Sequence, residues 1–321
     1  MRLSLNASRL AVLACGLFLT STGCGDDPKP PEPPTGPADV ASLELPGANY
    51  YPESLTNSAD GTLYVGSLGT GVVEKFAPQS TTAVDFIPAG TLKGVAGVLA
   101  DDSTQTLYVC SVDVSGQTAT TVQTFALDTG AHKATYEFPT PAFCNDFAFD
   151  GQHNLYVADS YGSVFRLANG GTALQQWAKD PLLAPSSQQG FGADGIAWDG
   201  QGNIYVGMVT DSRLVRIPIN ANGSAGTVTQ INVPGLANPD GMRSLDANTL
   251  LTVEGSGQLI KITVSGTNGT RAVLKDGLNE PTSVTVYKNQ YWISEGQLSH
   301  LLNPASGPAP TPFKLQRVVA P

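Results

Sequence analysis

Three observations predict an all-β fold for this chain of 321 residues, a six-bladed β-propeller of four-stranded antiparallel blades. First, one strand pattern recurs six times: Leu63-Tyr64-Val65, Leu107-Tyr108-Val109, Leu155-Tyr156-Val157, Ile204-Tyr205-Val206, Leu250-Leu251-Thr252 and Tyr291-Trp292-Ile293, at spacings of 41 to 49 residues. A period in the forties with several short strands per unit is what propeller blades produce. Second, 35 glycines and 23 prolines supply the turns that such a fold needs. Third, no stretch carries a sustained helical period, so helix content is expected to be low.

Taken in order, the chain opens with residues 1–23, which read as a secretory signal: Arg2 and Arg9 precede the apolar run Leu10 to Leu19, and small residues follow. The run is about half the roughly 20 residues a membrane-spanning helix needs. Ser21-Thr22-Gly23-Cys24 resembles a bacterial lipobox, which implies cleavage before Cys24 and lipid attachment to its thiol. Ser21 stands where Leu is usual, so ordinary secretion stays open. Residues 24–38 form a Pro-rich linker that would hold the domain off a membrane, in the periplasm or at the cell surface.

The propeller is expected over residues 39–319. In its fourth unit Gly195 to Trp198 is the inner strand, Asp199-Gly200 turns, and Asn203 to Gly207, Leu214 to Ile217 and Thr227 to Val233 follow outwards. Two segments compete for the last outer strand, Val40 to Leu45 and Phe313 to Val319. The first is favoured, because Leu45-Pro46-Gly47 and Pro52-Glu53 echo Val233-Pro234-Gly235 and Pro239-Asp240. Such closure removes an exposed edge that would otherwise template aggregation; a monomer is expected. Cys110 and Cys144 are equally compatible with a disulfide and with two buried thiols. The net charge of -10, with no basic run, argues against nucleic-acid binding.

Within this frame, a side chain bearing oxygen sits ten residues before the second strand of four units: Glu53, Asn145, Asp194 and Asp240. Inner strands of a propeller surround one channel, so residues at one phase converge at one mouth. Gly97 and about Pro281 hold that phase in the other two units. Three carboxylates and an amide brought together repel one another unless a cation sits between them. Oxygen-only ligation favours calcium, with magnesium or manganese less suited; zinc is disfavoured, as His132, His153 and His300 fall in turns or outer strands. The competing reading is turn chemistry, which accounts for Asp60-Gly61, Asp150-Gly151 and Asp199-Gly200 but not for Glu53, a poor turn former.

Asn145-Asp146, Ala193-Asp194-Gly195-Ile196 and Pro239-Asp240-Gly241-Met242, with Pro52-Glu53 upstream, resemble the regucalcin/gluconolactonase (SMP-30-like) family of six-bladed propellers. The resemblance implies a calcium ion bound by Glu53, Asp194 and Asp240, with Asn145 contacting metal or substrate, and Asp240 as general base. It implies hydrolysis of a lactone or ester, a water attacking a carbonyl polarised by the metal. Two departures stand out. Asp194 replaces the family's Asn, and Phe143 occupies the position of an Arg that gluconolactonases place two residues before Asn145. Phe143 and Phe191 suit an apolar acyl group better than a sugar acid. The alternatives are a surface-tethered propeller that binds a protein or glycan without catalysis, and a purely structural ion.

Overall fold

The computed structural model describes residues 35–187 and 190–321. The signal peptide, the cleavage before Cys24 and the linker up to residue 34 lie outside the described residues. Residues 35–38, expected at the end of the linker, pack on the domain: Ala38 is buried, and Gln79 Nε2 donates to the carbonyls of Thr35, Gly36 and Pro37.

Six four-stranded antiparallel sheets make up the described chain. The inner strands are Pro52–Asn57, Gly94–Asp101, Cys144–Phe149, Ala193–Trp198, Pro239–Asp246 and Pro281–Tyr287, opening blades 1 to 6. Each recurrent Leu-Tyr-Val element is the second strand of its blade. It is covered on both faces by neighbouring blades, so both alternating sets of side chains must be apolar; Leu63, Tyr64 and Val65 are all buried. Outer strands such as His132–Glu137 and Asn268–Lys275 lie largely in solvent and are polar. Only Ser299–Leu302 is α-helical among the described residues, with a 3-10 turn at Pro304–Ser306.

The hairpin turns follow the expected Asp-Gly chemistry. Asp150 Oδ1 accepts from the backbone of Gln152 and Asn154, while its Oδ2 accepts from Asn154 Nδ2 and the Tyr156 hydroxyl. Asp199 repeats the arrangement with Gln201 and Asn203. In blade 4 the outer strand is shorter than expected, Thr229–Ile231, because Asn232 leaves the sheet to exchange hydrogen bonds with Thr267 and Gly269 of blade 5.

Ring closure uses both chain ends, in adjacent places. Blade 6 runs Pro281–Tyr287, Gln290–Glu295, Phe313–Val319 and then Ser42–Leu45, so the N-terminal segment is the outer strand and the C-terminal one the third. Leu43, Leu45, Phe313 and Leu315 join Tyr51 and Trp292 in one buried cluster. Cys110 and Cys144 are disulfide-bonded, joining the second strand of blade 2 to the first residue of blade 3's inner strand across 34 residues of sequence. Closing a loop of that length stabilises a fold by about 3–4 kcal/mol in the chain-entropy picture.

Candidate metal centre

Every inner strand begins with the same local irregularity. The antiparallel register slips at Glu53, at Ala96, at Asn145-Asp146, at Asp194-Gly195, at Asp240-Gly241 and at Thr282. Such bulges leave a residue unpaired and re-aim its side chain. Counting back from the residue that opens the second strand therefore misplaces two blades. The blade 2 hairpin is one residue longer than that of blade 1, and the blade 6 hairpin one residue shorter. The positions equivalent to Glu53 are thus Ala96 and Thr282, rather than Gly97 and Pro281. Thr282 turns its hydroxyl to Pro52 O and Ser294, and Ala96 offers no polar atom, so four polar groups remain.

The approach to these positions is also shared. Tyr51, Asn238 and Glu280, each two residues ahead and each followed by proline, adopt left-handed φ of 47°, 47° and 44°. Non-glycine residues seldom do so, and sites of function are where such strain is kept. Their carbonyls accept from Leu68, Gly255 and Gly296 at the end of the second strand. Phe143 holds the same place in blade 3, accepting from Ser160 N, and there Cys144 with its disulfide replaces the proline. Gly97 supports the neighbouring strand: a Cβ on it would lie 2.1 Å from Asn145 O and 3.1 Å from Cys110 Sγ.

Glu53, Asp194 and Asp240 come together, one carboxylate oxygen of each lying within 4.8 Å of the others. Asn145 Nδ2 donates to Asp194 Oδ2 at 2.9 Å, and Asp240 Oδ1 accepts from Gly241 N at 2.8 Å. Asp194 Oδ1 is buried with no partner. Burial pushes the Glu53 carboxyl well above its ordinary range, and the charges of Asp240, Asp194 and Asp146 push it further against Arg243. Asp194 is raised well above its range by burial and then by Asp240. Asp240 rises to about 7, chiefly through burial, opposed by its interaction with the Asp194 carboxyl and by the hydrogen bond it accepts from Gly241 N.

Two further groups escaped a reading based on spacing. Arg243 Nη1 donates to Asp146 Oδ2 at 2.8 Å, and Asp146 Oδ1 is buried without a partner. Ninety-seven residues separate this pair in sequence, and only the closed ring brings them together. The segment after Glu295 folds over the mouth, where Leu298 and Leu302 complete a cavity of about 150 Å³. Phe143 and Phe191, in edge-to-face contact with centroids 5.4 Å apart, form another wall, and the three carboxylates with Asn145 line the same space. The histidines lie elsewhere: His132 on an outer strand, His153 in a turn against Asp101, and His300 in the short helix, bonded to Gly307 O.

The donors suit a hard divalent cation. Three carboxylates and an amide can all offer oxygen, Asp194 Oδ1 is buried without a partner, and Arg243, the cationic neighbour among the described residues, is already paired with Asp146.

No family profile matches the chain, and no curated protein matches it. Solved structures do. The major allergen Mala s 1 of Malassezia sympodialis is 15% identical with a TM-score of 0.68, the match covering 87% of this chain and 96% of that one. For a luciferin-regenerating enzyme the figures are 16%, 0.64, 87% and 95%. For a calcium-binding regucalcin from Agrobacterium tumefaciens they are 13%, 0.63, 90% and 97%. Likeness at these identities shows the fold alone, and with the six sheets of this chain it establishes a six-bladed β-propeller.

Proposed function

We propose that the protein is a calcium-dependent hydrolase of a neutral lactone or ester. Glu53, Asp194 and Asp240 would hold the ion, with Asn145 adding its amide oxygen. The observation that carries this reading is the convergence of three carboxylates on an apolar cavity, with Asp194 Oδ1 unpartnered. A bound divalent cation would offset the gathered charge and polarise a substrate carbonyl. The calcium binding of a regucalcin with a similar fold lends support.

The remaining roles fall to the chain's own groups. Asp240, the most exposed of the three carboxylates, is the general base. It takes a proton from water as the water oxygen bonds to the carbonyl carbon; the C–O bond to the leaving oxygen then breaks, and that oxygen takes the proton held by Asp240, which restores the base. Asn145 orients Asp194 through its amide hydrogen bond. Phe143, Phe191 and Leu298 keep bulk water from the acyl group. Among the described residues no cationic side chain lines the cavity, so a sugar acid would find no partner where gluconolactonases place Arg. The disulfide supports an extracytoplasmic site of action, consistent with a lipid anchor on Cys24.

The test is hydrolysis of a panel of neutral lactones and esters by the metal-loaded protein, with and without a chelator. Turnover abolished by the chelator and restored by calcium supports the hydrolase. Calcium binding without any turnover contradicts it and leaves a binding propeller.

A further inference from the structure

Phe143 lines a second space besides the cavity over the carboxylates, a groove of about 500 Å³ whose walls include Phe138, Pro139, Pro141, Tyr161 and the loop from Asp113 to Thr121. The two spaces share Phe143. An aromatic row, Tyr161, Phe143 and Phe191, links them with centroid separations of 6.3 and 5.4 Å. The groove wall is held in place: Phe138 packs edge-to-face on the buried Phe165 at 4.9 Å, and the prolines stiffen the segment that crosses it. Preformed surfaces of this kind bind with little ordering cost.

Its chemistry is one-sided. Among the described residues, neither space is lined by Lys, Arg or His. The groove's charges are Asp113 and Glu137, and Asp113 is turned into its own loop, accepting from Ser115 and Thr118. Around the mouth stand Val114, Tyr161 and Leu302, 52%, 59% and 50% exposed, three of the six most exposed large apolar side chains among the described residues. Apolar groups left in solvent together mark a binding surface.

We propose that this groove is a second subsite, continuous with the candidate active site, and that the ligand is an elongated, uncharged molecule. Its carbonyl end lies at the carboxylates, and its apolar chain crosses Phe143 onto the Phe138 to Phe143 platform. The assignment of the carbonyl end rests on the hydrolytic reading above; the groove and its ligand class do not. A cavity of 150 Å³ takes the reacting group, and the groove reads the length beyond it.

The test uses calcium-loaded protein and neutral p-nitrophenyl esters from acetate to decanoate. Burial of each added methylene predicts a rise in kcat/KM of about twofold to fourfold over part of the series. Thr120→Trp and, separately, the more exposed Thr140→Trp are chosen to fill the groove, and thermal melts confirm that each folds. Both should flatten the rise. A second arm needs no turnover: an uncharged long-chain amide carrying an environment-sensitive dye is titrated into wild type and both variants, with at least roughly tenfold weaker binding expected in the variants. Amide binding weakened by the tryptophans, with no ester hydrolysed, sinks the hydrolase and sustains the subsite. Absence of saturable amide binding by wild type, or equal binding by wild type and both variants, overturns the subsite, as does a flat chain-length profile in an active wild type.

Discussion

Asp240 is the side chain on which the proposed hydrolysis turns. It borders the cavity beside Glu53 and Asp194, and its carboxyl is raised to about 7, mainly by burial. Asp240→Asn would remove the proposed base while keeping the shape and one oxygen donor. Hydrolysis should fall by about 10²–10⁴-fold with an unchanged circular dichroism spectrum; wild-type turnover would show that Asp240 is not the base. At this scale the sequence was informative where chemistry is local. Glu53, Asn145, Asp194 and Asp240 were legible because one bulge recurs at one phase of a repeat. Arg243 was not, since nothing near it in sequence marks its partner Asp146, and spacing within a single blade carries no record of contacts across the channel.

At the scale of the element, the bulged start of each inner strand does the positioning. The strands themselves were legible from the Leu-Tyr-Val repeat, because burial on both faces leaves an unbroken apolar run. Turn length was not. A residue more in blade 2 and one fewer in blade 6 moved the equivalent positions to Ala96 and Thr282. Gly97 is needed for a different reason, the close approach of Asn145 O. Gly97→Ala would drive a methyl group into that backbone. Overpacking of this kind should destabilise the fold by about 1–3 kcal/mol, read as a lower melting temperature, and should weaken calcium binding by displacing Asn145. A variant that matches wild type in melting temperature and calcium affinity would show that the close approach is not what fixes blade 3.

For the whole molecule, closure by both termini gives six blades a common axis, and four of them send polar groups to one mouth. That convergence costs stability without a cation. Unfolded Asp and Glu titrate near 4, whereas Glu53, Asp194 and Asp240 are all raised in the folded chain, Asp240 to about 7. Raised carboxyl pKa values favour the folded state below the unfolded values, and that contribution is lost as pH rises through the folded ones. The metal-free protein should therefore melt at a lower temperature at pH 8 than at pH 5, and the increment given by calcium should grow across the same range. Melting curves at a series of pH values check this, and an increment that shrinks towards pH 8 would contradict it. Whether the ring gathers these carboxylates to hold one divalent cation is read by calorimetric titration of chelator-treated protein with calcium, alongside Glu53→Gln. One ion per chain in wild type and affinity lowered by at least about tenfold in the folded variant are predicted; no binding by wild type, or equal binding by both, would contradict it.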